Sequence, residues 1–138
     1  MNYNAAILDA AARHVGTAEW PGAKSSPAVE VFFARAGFPG LRDDVPWCAA
    51  FVGAVLAEVG LIPSGSLMAR SYATWGRSIA PAEMRPGDVL VFERGAAPSG
   101  HVGFLVAIHG DRLLVRGGNQ GDKVSDAMMP VQRLIAIR

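Results

Sequence analysis

The sequence has a single cysteine, no surplus of either charge and no long apolar run. One cysteine excludes an internal disulfide. Lys and Arg total 13 against 12 Asp and Glu, a formal net charge of +1. That balance argues against a duplex nucleic-acid binder, whose footprint is a strong basic excess or stripe. No stretch reaches the ~18 consecutive apolar residues of a membrane span. Residues 1–12 carry Asp9 and lack the basic start and apolar core of a secretion signal. The expectation is a chain made in the cytoplasm, delivered by something else if its target lies outside. Neither an internal repeat nor a low-complexity segment is visible. His, Cys and carboxylates do not cluster at zinc spacing, and no phosphate-cradling glycine motif occurs, so no metal and no cofactor are expected.

What is there is a hydrophobic half, 51% of the residues, enough for one compact domain over 1–138. Its two halves differ in period. Ala5, Leu8, Ala12 and Val15 fall at helical spacing and predict a helix over 3–15, stopped at Gly16. Ser26-Pro27 reads as an N-cap with Pro at the first helical position, opening a helix to about 36. Cys48, Phe51, Val52, Val55, Leu56 and Val59 mark the clearest helix, ended by Gly60. Pro46 disfavours helix upstream, which puts Cys48 in the first turn. A short fourth helix is predicted over 69–75. Beyond Pro86-Gly87 the pattern is that of strands, over 88–92, 101–109, 112–116 and 131–138. Helices followed by antiparallel strands predict an α+β fold.

A cysteine at a helix start sits at the positive end of the helix dipole, beside N–H groups with no partner in the helix. Both favour a thiolate, the nucleophilic form, and the same N–H groups can hold an oxyanion. The sulfur then needs an imidazole. His14 near a helix end and His109 at a hairpin turn have ordinary structural explanations. His101 begins a strand in Ser99-Gly100-His101-Val102-Gly103, where glycines permit close approach. The ring needs an orienting partner in turn. A two-residue turn at Gly110-Asp111 places Gln120 opposite His101, a three-residue loop places Asn119 there, and a bulge at Gly117-Gly118 shifts either register. Spacing leaves both residues open.

Four segments in order carry a resemblance: Pro46-Trp47-Cys48-Ala49-Ala50-Phe51-Val52, Pro86-Gly87-Asp88-Val89-Leu90-Val91-Phe92, Gly100-His101-Val102-Gly103-Phe104 and Gly117-Gly118-Asn119-Gln120. Together they resemble a phage and prophage family of cell-wall peptidases related to the NlpC-type and CHAP (cysteine, histidine-dependent amidohydrolase/peptidase) groups. The resemblance implies a papain-like core and a Cys-His-Asn hydrolase acting on the peptide stem of peptidoglycan. It maps the nucleophile to Cys48, the histidine to His101 and, over Gln120, the third residue to Asn119. An endopeptidase is favoured. The alternatives are an amidase cutting between the lactyl group and the first alanine, and a non-catalytic wall-binding or tail-associated module. The family further implies an endolysin-like role, phage-type delivery to the cell wall or periplasm, and phage or gene-transfer-particle tail components as partners.

Candidate substrate contacts are Asp44 (with its neighbour Asp43), Trp47 beside the nucleophile, Ser71 and Gln120. Trp20 and Trp75 are further candidate cleft walls, although large aromatics more often pack. Asp88 reads as a turn-stabilising residue.

Overall fold

The computed structural model describes residues 2–138. Helices α1 (Asn4–Ala12), α2 (Pro27–Arg35) and α3 (Cys48–Glu58) precede strands β1 (Val89–Glu93), β2 (Gly100–His109), β3 (Arg112–Gly117), β4 (Ser125–Pro130) and β5 (Leu134–Ile137). The strands form one antiparallel sheet in the order β4-β3-β2-β1-β5. The fold is α+β and papain-like, as expected.

Differences from the predicted elements have local causes. The first helix stops at Ala12, and the chain tightens into i→i−3 bonds from His14 to Ala11 and Val15 to Ala12 before Gly16 turns at φ +96°. The segment predicted as a fourth helix is a 3₁₀ helix over Ala69–Thr74. The last strand begins only at Leu134, because Val131–Arg133 make a 3₁₀ turn after Pro130. Strand β4 was not predicted. Ser-Asp-Ala-Met-Met-Pro holds no β-branched or aromatic residue, so its propensity is weak. Pairing with β3 along its whole length makes it a strand nonetheless.

Helix α3 is the centre of the molecule. Its residues 48–56 are all buried, as a helix apolar on every side must be. Small residues allow the close approach. A Cβ on Gly53 would stand 2.9 Å from the Ala36 Cβ. Gly60, at φ +85°, ends the helix, with Gly60 N–H donating to Ala57 O and Leu61 N–H to Leu56 O.

Both faces of the sheet are covered. Val89, Val91, Val102 and Phe104 pack with the helices in the larger core. Leu90, Phe92, Leu105, Leu113, Val115, Met129 and Ile137 form a second core on the other face, joined by Ile79, Met84 and Leu134. Successive side chains of β2 therefore enter different cores, which decides where its histidine points.

Candidate active site

The β2–β3 hairpin turns at Gly110-Asp111, pairing His109 with Arg112. The ladder then shifts by one residue between Leu105 and Ala107, so the bulge lies at Val106 and not at the glycine pair. The last pair towards the site is Phe104 with Arg116, and β3 ends at Gly117. Val102 consequently has no partner on β3. Its N–H faces that side, because bonding direction alternates along a strand and Leu105, three residues on, bonds to Asp88 and Gly87 on the β1 side.

Cys48, the first residue of α3, comes beside this gap, and the backbone N–H groups of Val102, Ala49 and Cys48 each favour the anionic form of its thiol. The helix reaches this point because Gly118 has no side chain. A Cβ there would lie 2.6 Å from Phe51 Cβ and 2.8 Å from the Trp47 ring. The N-cap of α3 is Trp47, whose side chain makes no capping bond, and the first turn holds no acid. A Ser or Asp cap would have occupied those N–H groups; here they are left for an anion.

His101, next to Val102 on β2, is paired across the ladder with Phe92 and fully buried, and no hydrogen bond joins it to Cys48. Its Nε2 is 2.8 Å from Gln120 Oε1. The Gln120 amide is oriented by its other end, since Nε2 donates to Val115 O at 3.1 Å and to Ser125 O at 2.7 Å. Two carbonyls can only accept, so the amide oxygen must face the ring and the ring must donate from Nε2. A neutral His101 then carries its lone pair on Nδ1, which is buried and has no partner. Gly117 leaves room for this contact, for a Cβ would fall 2.5 Å from Gln120 Oε1 and 3.3 Å from His101 Nε2.

The ring's partner is Gln120, not Asn119. Asn119 is half-buried at φ +58°, a left-handed position that Asn tolerates better than most residues. That single reversal carries the chain back so that Gln120 arrives beside the ring.

Burial pushes the Cys48 thiol above its ordinary value, against the Val102 N–H and the charge of Arg94. Burial also pushes His101 down to about 4, opposed by the Gln120 bond and assisted by Arg94 and Arg133. Both shifts favour the uncharged forms, a thiol at Cys48 and a neutral imidazole at His101. The depressed histidine has a consequence for folding. Between about pH 4 and 6.5 the unfolded chain binds a proton at residue 101 that the folded chain refuses. Stability should therefore fall as pH drops through that window, by on the order of 3 kcal/mol for this group. Urea unfolding of wild type and His101→Gln at pH 7 and pH 4.5 measures it; the variant should lose markedly less on acidification. Asp43, lowered by the Trp20 and Ser26 N–H bonds against burial, acts in a separate range, losing its contribution only below its ordinary 3.8.

Other predicted contacts divide. Trp47 is fully buried, stacked on Phe32 at 5.9 Å, with its Nε1–H donating to Glu19 Oε1 at 2.7 Å. It therefore presents no surface to a substrate, and its assignment as a substrate contact is corrected. Asp43 ties two loops, accepting from Trp20 N–H at 2.8 Å and Ser26 N–H at 2.7 Å, while Asp44 is exposed. The Ser71 hydroxyl is 2.6 Å from that of Ser64. Trp20 is about half exposed, and the Trp75 indole donates to Ile62 O. Asp88 stabilises its turn through Arg85 N–H and the Asn4 amide. His14 pairs with Glu58 at 2.6 Å, and His109 is exposed. Among the described residues no three His, Cys, Asp or Glu side chains gather as for a metal, and no helix is long and apolar enough to cross a membrane. A cavity of about 490 Å³ lies at the other end of β1 and touches none of Cys48, His101 or Gln120.

The family model of the CHAP domain matches residues 40–119, more than half of the chain and a span holding both Cys48 and His101. The chain belongs to the CHAP domain family. Solved structures similar to this CHAP chain include the peptidoglycan hydrolase RipB of Mycobacterium tuberculosis, at 17% identity and a TM-score of 0.61. That match covers 96% of this chain and 62% of RipB. RipD of the same organism, described as a non-catalytic NlpC/p60 domain protein adapted to peptidoglycan binding, matches at 15% identity and a TM-score of 0.58, over 99% and 95% of the two chains. The P60 domain of an M. avium paratuberculosis antigen matches at 13% and 0.57, over 97% and 90%. At such identities the likeness to the CHAP chain is one of fold. No curated protein matches it by sequence.

Proposed function

We propose that this CHAP domain is a peptidoglycan hydrolase that cuts a peptide bond of the stem by acyl transfer through Cys48. The observation that carries the reading is the chain of bonds from Val115 O and Ser125 O through Gln120 to His101 Nε2, which leaves Nδ1 bare and free to accept a proton. The route requires the Cys48 sulfur and Nδ1, which share no hydrogen bond here, to come within reach: as the sulfur attacks the scissile carbonyl carbon, its proton passes to Nδ1. The positive charge gained by the imidazole is balanced by the negative charge formed on the substrate oxygen, so burial opposes the step less than it opposes either ion alone. The oxyanion is met by N–H groups at the start of α3. The C–N bond breaks as Nδ1–H gives its proton to the leaving amine. Water then attacks the thioester, losing a proton to Nδ1, and the sulfur recovers it. Gln120 is the positioning residue. Asp44 and Ser71 stay candidate substrate contacts.

The likeness to RipD favours one other reading, a wall-binding module without catalysis. Incubation with purified sacculi and mass spectrometry of the soluble products decides. New amine termini within the stem support the endopeptidase. Free intact stems ending in an N-terminal alanine point to an amidase, and a protein that sediments with sacculi and releases nothing supports the binding module.

A further inference from the structure

His101 stands at the foot of the β1–β2 hairpin, whose last pair is Glu93 with Gly100. Three arginines gather on that hairpin. Arg133 donates Nε and Nη2 to Glu93 O at 3.1 and 2.8 Å, fixing one end of the loop. Arg70 donates Nε to Ser99 O at 2.7 Å, fixing the other. Arg94, the first residue of the loop, is exposed. Among the described residues none of the three makes an ion pair, not even with the exposed Glu93 beside them.

Two guanidinium groups are thus pinned by backbone carbonyls, with further N–H donors on each. The charges that act on the Cys48 sulfur and the His101 ring come from this group as well, Arg94 on both and Arg133 on the ring. The start of α3 adds a positive pole with no acid in its first turn. These charges favour a substrate that brings an anionic group towards the sulfur, and the anionic groups of a stem peptide are its carboxylates.

We propose that Arg94, supported by Arg133 and Arg70, makes the site select stem peptides carrying a free carboxylate beside the scissile bond over the same peptides amidated there. This rests on the hydrolase reading for its substrate but concerns binding, so it is tested apart from turnover. The probes are a synthetic stem peptide and its amidated twin, titrated calorimetrically into the Cys48→Ala protein. The carboxylate form should bind roughly five- to tenfold more tightly at low salt, within the range of a charge-assisted hydrogen bond and screened by added salt. Arg94→Ala in that background should bring the ratio to within about twofold, and Arg94→Lys should restore part of it. Equal affinities for the two peptides, a ratio indifferent to Arg94→Ala, or no binding of either at millimolar concentration would each overturn the proposal. Cleavage of both peptides at equal kcat/KM by wild type would leave the hydrolase reading standing and sink this one; cleavage of neither, with discrimination in binding intact, would do the reverse.

Discussion

Cys48→Ala is expected to lower the rate of fragment release from sacculi by a thousandfold or more while leaving the fold intact. The sulfur is the nucleophile of the proposed route, and loss of a nucleophile leaves only what binding and oxyanion donors supply. Truncation removes one buried heavy atom, a smaller loss than a Leu-to-Ala change in a core; circular dichroism should be unchanged and the melting temperature should fall only slightly. Cys48→Ser keeps the volume but substitutes a weaker nucleophile and should also be nearly inert. Substantial release by either variant would mean that the bond is cut without this sulfur.

The second large effect separates two adjacent residues. Gln120→Ala should lower kcat/KM by about ten- to a hundredfold, since it frees the ring tautomer and orphans two acceptors, Val115 O and Ser125 O. Asn119→Gly should stay within about twofold of wild type, because glycine adopts φ +58° without strain and no ring contact is lost. Asn119→Val would disturb the turn and act indirectly through Gln120. A larger loss at residue 119 as glycine than at residue 120 as alanine would reverse the assignment of the ring's partner.

Most of this architecture was legible from particular residues. The apolar run from Cys48 with Gly60 after it announced α3, Pro46 located its start, and Gly110-Asp111 announced the hairpin. The motifs that carried the resemblance named Cys48 and His101. Which neighbour holds the ring was not legible, because it depends on a bulge at Val106 and a reversal at Asn119, neither marked by composition. The glycine pair was read as a possible bulge. Each glycine instead clears one face, Gly117 for the His101–Gln120 contact and Gly118 for Trp47 and Phe51. Trp47 looked like a cleft wall because it adjoins the nucleophile, but successive residues at a helix start point in different directions, and Glu19, distant in sequence, supplies the partner that lets the indole be buried. The arginines of the β1–β2 hairpin left no pattern, since Arg70, Arg94 and Arg133 meet only in the fold.

The account rests on a neutral His101 whose proton sits on Nε2, held by Gln120, with Nδ1 bare for the sulfur's proton. Side-chain ¹⁵N NMR of histidine-labelled protein at pH 7 measures this directly. The predicted spectrum shows residue 101 as the Nε2–H tautomer, persisting on acidification towards about pH 4 and lost in Gln120→Ala. A ring protonated on Nδ1 alone, or an imidazolium already present at pH 7, would contradict it.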